Sequence, residues 1–109
     1  MVPAYTRGMH LSIAQARDAL AALCRRHHIA RLEVFGSAAR GDDFKPQSDA
    51  DLLVAFEPGF RVGLDEWDAA RRDFEALLGR HVDLVEAGAV RNPFVLRQID
   101  RERELLYAA

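Results

Sequence analysis

The chain has 109 residues, 50% hydrophobic and 29% charged, and its fifteen basic and seventeen acidic residues leave a net charge of −2. That balance predicts one soluble globular domain with its own core, and excludes a disordered chain. A near-neutral charge also speaks against direct nucleic-acid binding, which leaves a basic excess, and no apolar run approaches the roughly 20 residues of a membrane span.

Residues 1–11 read as a loose lead-in without the apolar core of a signal peptide, and residues 12–109 as the domain. Ser12 is expected to open a helix, with Gln15 at the capping-box spacing. Ile13, Ala16, Leu20, Leu23 and His27 then recur at a helical period, leaving Arg17, Arg25 and Arg26 off the stripe. His27 and His28 end it, where cations complement the helix dipole. Cys24, the single cysteine, allows no intrachain disulfide. It fits a reducing, cytoplasmic setting, and its helical position suits a small buried hydrophobe rather than a nucleophile.

Ile29–Phe35 alternates as a strand and stops at Gly36-Ser37. A helical turn over Ser37–Arg40 and a polar loop over Gly41–Ser48 follow, then a second strand over Asp49–Phe56, broken by Glu57-Pro58-Gly59. Leu64–Leu78 is the next helix, with Leu64, Trp67, Ala70, Phe74, Leu77 and Leu78 as its apolar face and Gly79 as its C′ cap. Arg71 and Arg72 fall off that face, toward solvent. A third strand covers His81–Glu86, with Val82 and Leu84 on one side and His81, Asp83 and Val85 on the other. Asn92-Pro93 reads as N-cap and N1 of a last helix, whose apolar positions are Phe94, Leu96 (or Val95) and Ile99. Glu104–Tyr107 is a candidate closing strand. The order α-β-α-β-α-β-α, with a possible final β, predicts a single α/β domain in which helices flank a small mixed sheet.

Three features carry chemistry. Gly36-Ser37 ends a strand and opens a helical turn, whose unpaired N–H groups and dipole favour phosphate. Gly36 permits close backbone approach, Ser37 adds a hydroxyl, and Arg40 adds a planar cationic fork. Asp49 and Asp51 are two apart on a strand, on one face and about 6.6 Å apart along it. A hard divalent cation such as magnesium stabilises two such carboxylates. Asp83, on a neighbouring strand, would bring a third. Two metals about 4 Å apart can clamp the attacking and leaving oxygens of an in-line displacement. Each feature alone is common; their order and placement make them specific.

The stretch Gly36-Ser37-Ala38-Ala39-Arg40-Gly41, followed by Ser48-Asp49-Ala50-Asp51-Leu52, resembles the nucleotidyltransferases of the DNA polymerase β superfamily. It is most similar to their minimal nucleotidyltransferase (MNT) domains. His81-Val82-Asp83-Leu84-Val85 resembles the family's third-carboxylate strand, and the similarity runs from Ser12 to Tyr107. Ala38 departs from it, since relatives often carry a larger or basic side chain there.

The resemblance implies transfer of AMP from ATP, as substrate, to a hydroxyl, with release of pyrophosphate. Asp49 and Asp51 would bind two Mg2+ ions and Asp83 the catalytic one, while Gly36, Ser37 and Arg40 would hold the triphosphate. No second-substrate domain is expected in a chain of this length. The resemblance to the antitoxin halves of HEPN/MNT toxin–antitoxin pairs therefore implies a protein acceptor, a tyrosine of a HEPN ribonuclease toxin, met in a hetero-oligomer. Arg71, Arg72, Arg97 and Arg101 are candidate docking residues. Two other readings compete: a non-catalytic module that neutralises a partner by contact, and a small-molecule nucleotidyltransferase completed by homodimerisation.

Overall fold

The computed structural model of the chain describes residues 9–41 and 43–109. Nine elements follow in the order α1 (Leu11–Gln15), α2 (Arg17–Arg26), β1 (Ile29–Phe35), α3 (Ser37–Arg40), β2 (Ala50–Phe56), α4 (Leu64–Leu78), β3 (Val82–Glu86), α5 (Pro93–Glu102) and β4 (Glu104–Ala108). The sheet order is β3-β2-β1-β4. β1 pairs antiparallel with both β2 and β4, and β2 pairs parallel with β3, across the α4 crossover. The sheet is mixed, as expected, and the closing strand forms as its β4 edge.

Strand alternation sorts the sheet into two faces. Leu32 and Val34 of β1, Leu52 and Val54 of β2, and Val82 and Leu84 of β3 join one buried cluster with Ile13, Leu20 and Cys24 of α1 and α2 and Ala70 and Phe74 of α4. The opposite face carries Glu33, Asp51, Leu53 and Asp83, and α5 reaches it at β1.

Several local expectations are corrected. The first helix is two, broken at Ala16, and its cap is His10 rather than Ser12: the His10 Nδ1 accepts from the Ser12 backbone N–H at 3.2 Å. The His10 backbone N–H also donates to the Ala38 carbonyl at 2.8 Å, and Met9 is buried in the core. Those residues of the expected lead-in therefore pack with the domain, while residues 1–8 lie outside the described residues. Leu64 at 88% and Leu77 at 37% are exposed, so the apolar face of α4 is narrower than its sequence suggests. Phe94, Val95 and Leu96 are likewise exposed, and Ile99 alone of the expected α5 stripe is buried. β2 starts at Ala50 and β3 at Val82, leaving Asp49 and His81 one residue outside their strands.

Glu33 is 4% exposed although it alternates with core residues. β4 covers β1, and Arg103, between α5 and β4, donates to both Glu33 carboxylate oxygens at 2.8 and 2.7 Å. Those bonds, against the upward push of burial, hold the Glu33 carboxyl below the usual range. The pair ties α5 and β4 to the face of the sheet that bears Asp51 and Asp83.

Candidate active site

The site is built where β1 ends. Phe35, its last residue, pairs with Asp51 across the ladder. Gly36 then turns the chain at φ 70° and ψ −152° into α3, whose Ala39 and Arg40 N–H groups return to the Gly36 carbonyl at 3.1 Å. A positive φ strains any residue with a side chain. A Cβ on Gly36 would also stand 2.3 Å from Asp51 Oδ2. The space that glycine leaves is therefore filled by the Asp51 carboxylate, which lies directly beneath the turn. Gly36→Ala is expected to lower stability by about 1–3 kcal/mol and to push the Asp51 carboxylate aside. Thermal unfolding and a nucleotidyl-transfer assay check it; a variant that melts and turns over like the wild type would show that the turn tolerates a methyl group.

On the other side of Asp51 stands Asp83, its in-register partner on the parallel strand β3. Paired residues on adjacent strands share a face, with the strands about 4.8 Å apart. The two carboxylates are therefore neighbours on the open face of the sheet. The Asp51 carboxyl is pushed up to about 6, first by burial and then by the charges of Asp83, Asp49 and Glu102, with Arg40 drawing it back. Asp49, half exposed just before β2, has Oδ2 at 3.4 Å from His81 Nδ1. Among the described residues, no three such side chains converge closely enough for one ion; Asp49 is turned to His81 while Asp51 sits under Gly36. The donor set itself fits a hard divalent cation: oxygen ligands only, with a like-charge repulsion that a cation relieves.

Side chains that the sequence reading did not single out for the site frame these acids. Arg80 Nη1 donates to the Lys45 and Ser48 carbonyls at 2.8 and 3.0 Å, and its guanidinium lies 3.8 Å from the Phe44 ring centroid. It thereby pins the loop that delivers Asp49 to the start of β3. Glu102, the last residue of α5, forms an ion pair with Arg40. Arg40 also reaches Asp43 at 3.1 Å, so its fork is engaged by two carboxylates. One signal in the sequence points to Glu102: an acid at a helix C-terminus opposes the helix dipole, which implies a tertiary reason for it. Arg80 gives no such signal, because an arginine before a strand is ordinary.

The family model described as nucleotidyltransferase domain matches residues 16–106. A Methanocaldococcus jannaschii protein, named for an inferred protein adenylyltransferase activity, is 30% identical over 82 residues, covering 75% of this chain and 79% of its own. A solved structure assigned as a minimal nucleotidyltransferase superposes with a TM-score of 0.69 at 40% identity, over 89% of this chain and 96% of that one. A chain from the complex of tri-AMPylated Shewanella oneidensis HEPN toxin with MNT antitoxin shares the fold, with a TM-score of 0.63 at 15% identity, over 89% and 73% of the two chains. The matched residues take in the Gly36 turn and all three carboxylates, and the chain belongs to the nucleotidyltransferase domain family as a nucleotidyltransferase of the minimal fold.

Proposed function

We propose that this protein transfers AMP from ATP to a hydroxyl of a partner protein, a tyrosine of a HEPN ribonuclease toxin, and so acts as its antitoxin in the cytoplasm. The observation that carries the reading is Asp51 beneath the Gly36 turn with Asp83 as its in-register neighbour on the next strand. The residues assigned here to phosphate and to metal thus lie at one end of the sheet. In this reading Gly36, Ser37 and Arg40 hold the triphosphate, and Asp49, Asp51 and Asp83 hold two Mg2+ ions. Such ions, when bound, neutralise the triphosphate and polarise the reacting phosphoryl group. The acceptor oxygen bonds to the α-phosphorus, the bond to the bridging oxygen breaks, and pyrophosphate leaves. A phenol has a pKa near 10, so its proton must be taken as the bond forms; in this reading Asp83, exposed on its strand, is the carboxylate that takes it.

A protein acceptor is favoured by α5. Phe94 is 74% exposed there, beside Val95 and Leu96. A groove of about 630 Å3 is lined by Phe94, Arg97, Gln98, Asp100 and Arg101. Exposed aromatic and arginine side chains of this kind are enriched at protein interfaces. Arg71 and Arg72 suit docking less, because they are tied along α4 to Asp68, and Arg71 also to Glu75. The Shewanella complex and the Methanocaldococcus relative support the same acceptor class by what their names say of them.

The test combines the protein, ATP and Mg2+ with the product of the gene next to its own, the place where a HEPN partner is expected. Mass spectrometry is expected to find one adenylyl group added to a tyrosine peptide of the partner, with loss of its ribonuclease activity. The Asp49→Ala/Asp51→Ala double variant is expected to do neither. Neutralisation by the double variant equal to wild type would establish contact instead of chemistry. Pyrophosphate release with an unmodified partner would point to a small-molecule acceptor.

A further inference from the structure

Glu102 closes α5 at the negative end of its dipole, where a carboxylate is locally disfavoured. Its side chain is nonetheless 13% exposed and faces Arg40. One of its oxygens, Oε2, accepts from Arg40 Nη1, while Oε1 is shielded from water and has no hydrogen-bond partner among the described residues. The other terminal nitrogen of Arg40, Nη2, donates to Asp43 at 3.1 and 3.4 Å. Asp43 is 58% exposed, on the connection from α3 to β2. Among the described contacts, one arm of the guanidinium thus meets a largely shielded carboxylate and the other an exposed one.

These two contacts differ in kind. An exposed ion pair is weak and exchanges readily for another anion. A pair whose carboxylate is largely shielded from water is given up less readily, because separation leaves that carboxylate poorly solvated. Guanidinium presents its donors in a planar fork, so one arm can stay anchored while the other changes partner. Glu102 and Arg40 both act on the Asp51 carboxyl, which places the pair beside the acidic residues.

We infer that Glu102 is a positioning residue of the nucleotide site. It anchors the Arg40 guanidinium beside the Gly36-Ser37 turn, and Asp43 occupies the arm that a triphosphate takes in exchange. The inference rests on the proposed function, in which Arg40 receives phosphate. It gives the two carboxylates opposite signs. Loss of Asp43 removes a competitor, whereas loss of Glu102 releases the anchor. The second sign is diagnostic. Removal of a negative charge near a triphosphate strengthens binding by simple electrostatics, so weaker binding that disappears in an Arg40→Ala background is assigned to Arg40.

Calorimetric titration with ATP and Mg2+ tests this on the full chain. Glu102→Gln is expected to raise the ATP Kd about tenfold, in the range seen for residues that orient a ligand-holding group. Glu102→Asp is expected to recover part of the affinity. In an Arg40→Ala background, Glu102→Gln is expected to raise the Kd no further. Asp43→Asn is expected to lower it about threefold, as suits release of an exposed pair. Melting curves on each variant establish that it is folded, and Glu102→Asp replaces Glu102→Gln if the latter is not. An unchanged Kd in Glu102→Gln, with a raised Kd in Arg40→Ala, overturns the anchor and leaves the nucleotide site standing. Equal effects of Glu102→Gln in both backgrounds, or a raised Kd in Asp43→Asn, also overturn it. An unchanged Kd in Arg40→Ala removes both the anchor and Arg40's phosphate role.

Discussion

Asp51→Asn is expected to make the protein more stable and to abolish its transfer activity. The Asp51 carboxyl is pushed up to about 6 by burial under the Gly36 turn and by the charges of Asp83, Asp49 and Glu102. Its folded value thus lies above its unfolded one. A group shifted in that direction contributes stability that is complete below about pH 4, the unfolded value. The contribution is lost as pH rises through the folded value near 6. At pH 8 the ionised side chain burdens the metal-free fold by about 2 kcal/mol, after allowance for its partial exposure. Asparagine keeps the shape and removes the charge. In a domain of this size that gain corresponds to a rise of about 10 °C in Tm at pH 8, with no difference at pH 4. Thermal unfolding in chelator at the two pH values measures it. A variant that melts at or below the wild type at pH 8 would show that the acidic cluster does not strain the fold. Activity moves the other way, by a factor of about 1,000 or more, as expected when a group that supports charge in the transition state is removed. Such a trade is characteristic of sites that keep a destabilising arrangement for function.

Asp83→Asn is the second large effect, and it divides binding from chemistry. Asp83 is exposed and paired with Asp51 on the neighbouring strand. The residues proposed to hold the triphosphate, by contrast, lie on the turn after β1. Its loss is expected to reduce transfer by about 100- to 1,000-fold, the range for removing one preorganised charge-stabilising group. The Kd for ATP is expected to change only a few-fold, as for loss of a peripheral, exposed charge. Calorimetry beside a transfer assay separates the two quantities. Equal loss of both would place Asp83 among the nucleotide holders; an unchanged rate would remove it from the reaction.

Much of this protein is legible from its sequence alone. Gly36 and Gly79 lie where the chain must adopt a positive φ, and Asn92-Pro93 caps α5 as its chemistry dictates. The strands β1, β2 and β3 and the helix α4 follow from apolar periodicity to within a residue, because each buries one stripe against a shared core. The Asp49-Ala50-Asp51 spacing and the alternation around Asp83 already place those acids off the apolar face of their strands.

Tertiary structure alone decided the rest. Periodicity marks which residues can be buried, and neighbours settle which are: Leu64 and Phe94 satisfy the helical pattern yet remain exposed, because no element among the described residues covers them. Glu33 reads as a polar strand position and is buried, because β4 pairs beside β1 and brings Arg103 to it. The parallel register of β2 with β3 sets Asp51 against Asp83, although 32 positions separate them in the chain. The Arg40–Glu102 pair joins residues that local sequence cannot connect, since a charge 62 positions away is neither partner nor competitor until the chain folds. Local pattern determines elements through near-neighbour sterics and hydrogen bonding. The meeting of charges from separate elements is a property of packing, and in this protein that packing assembles the candidate site.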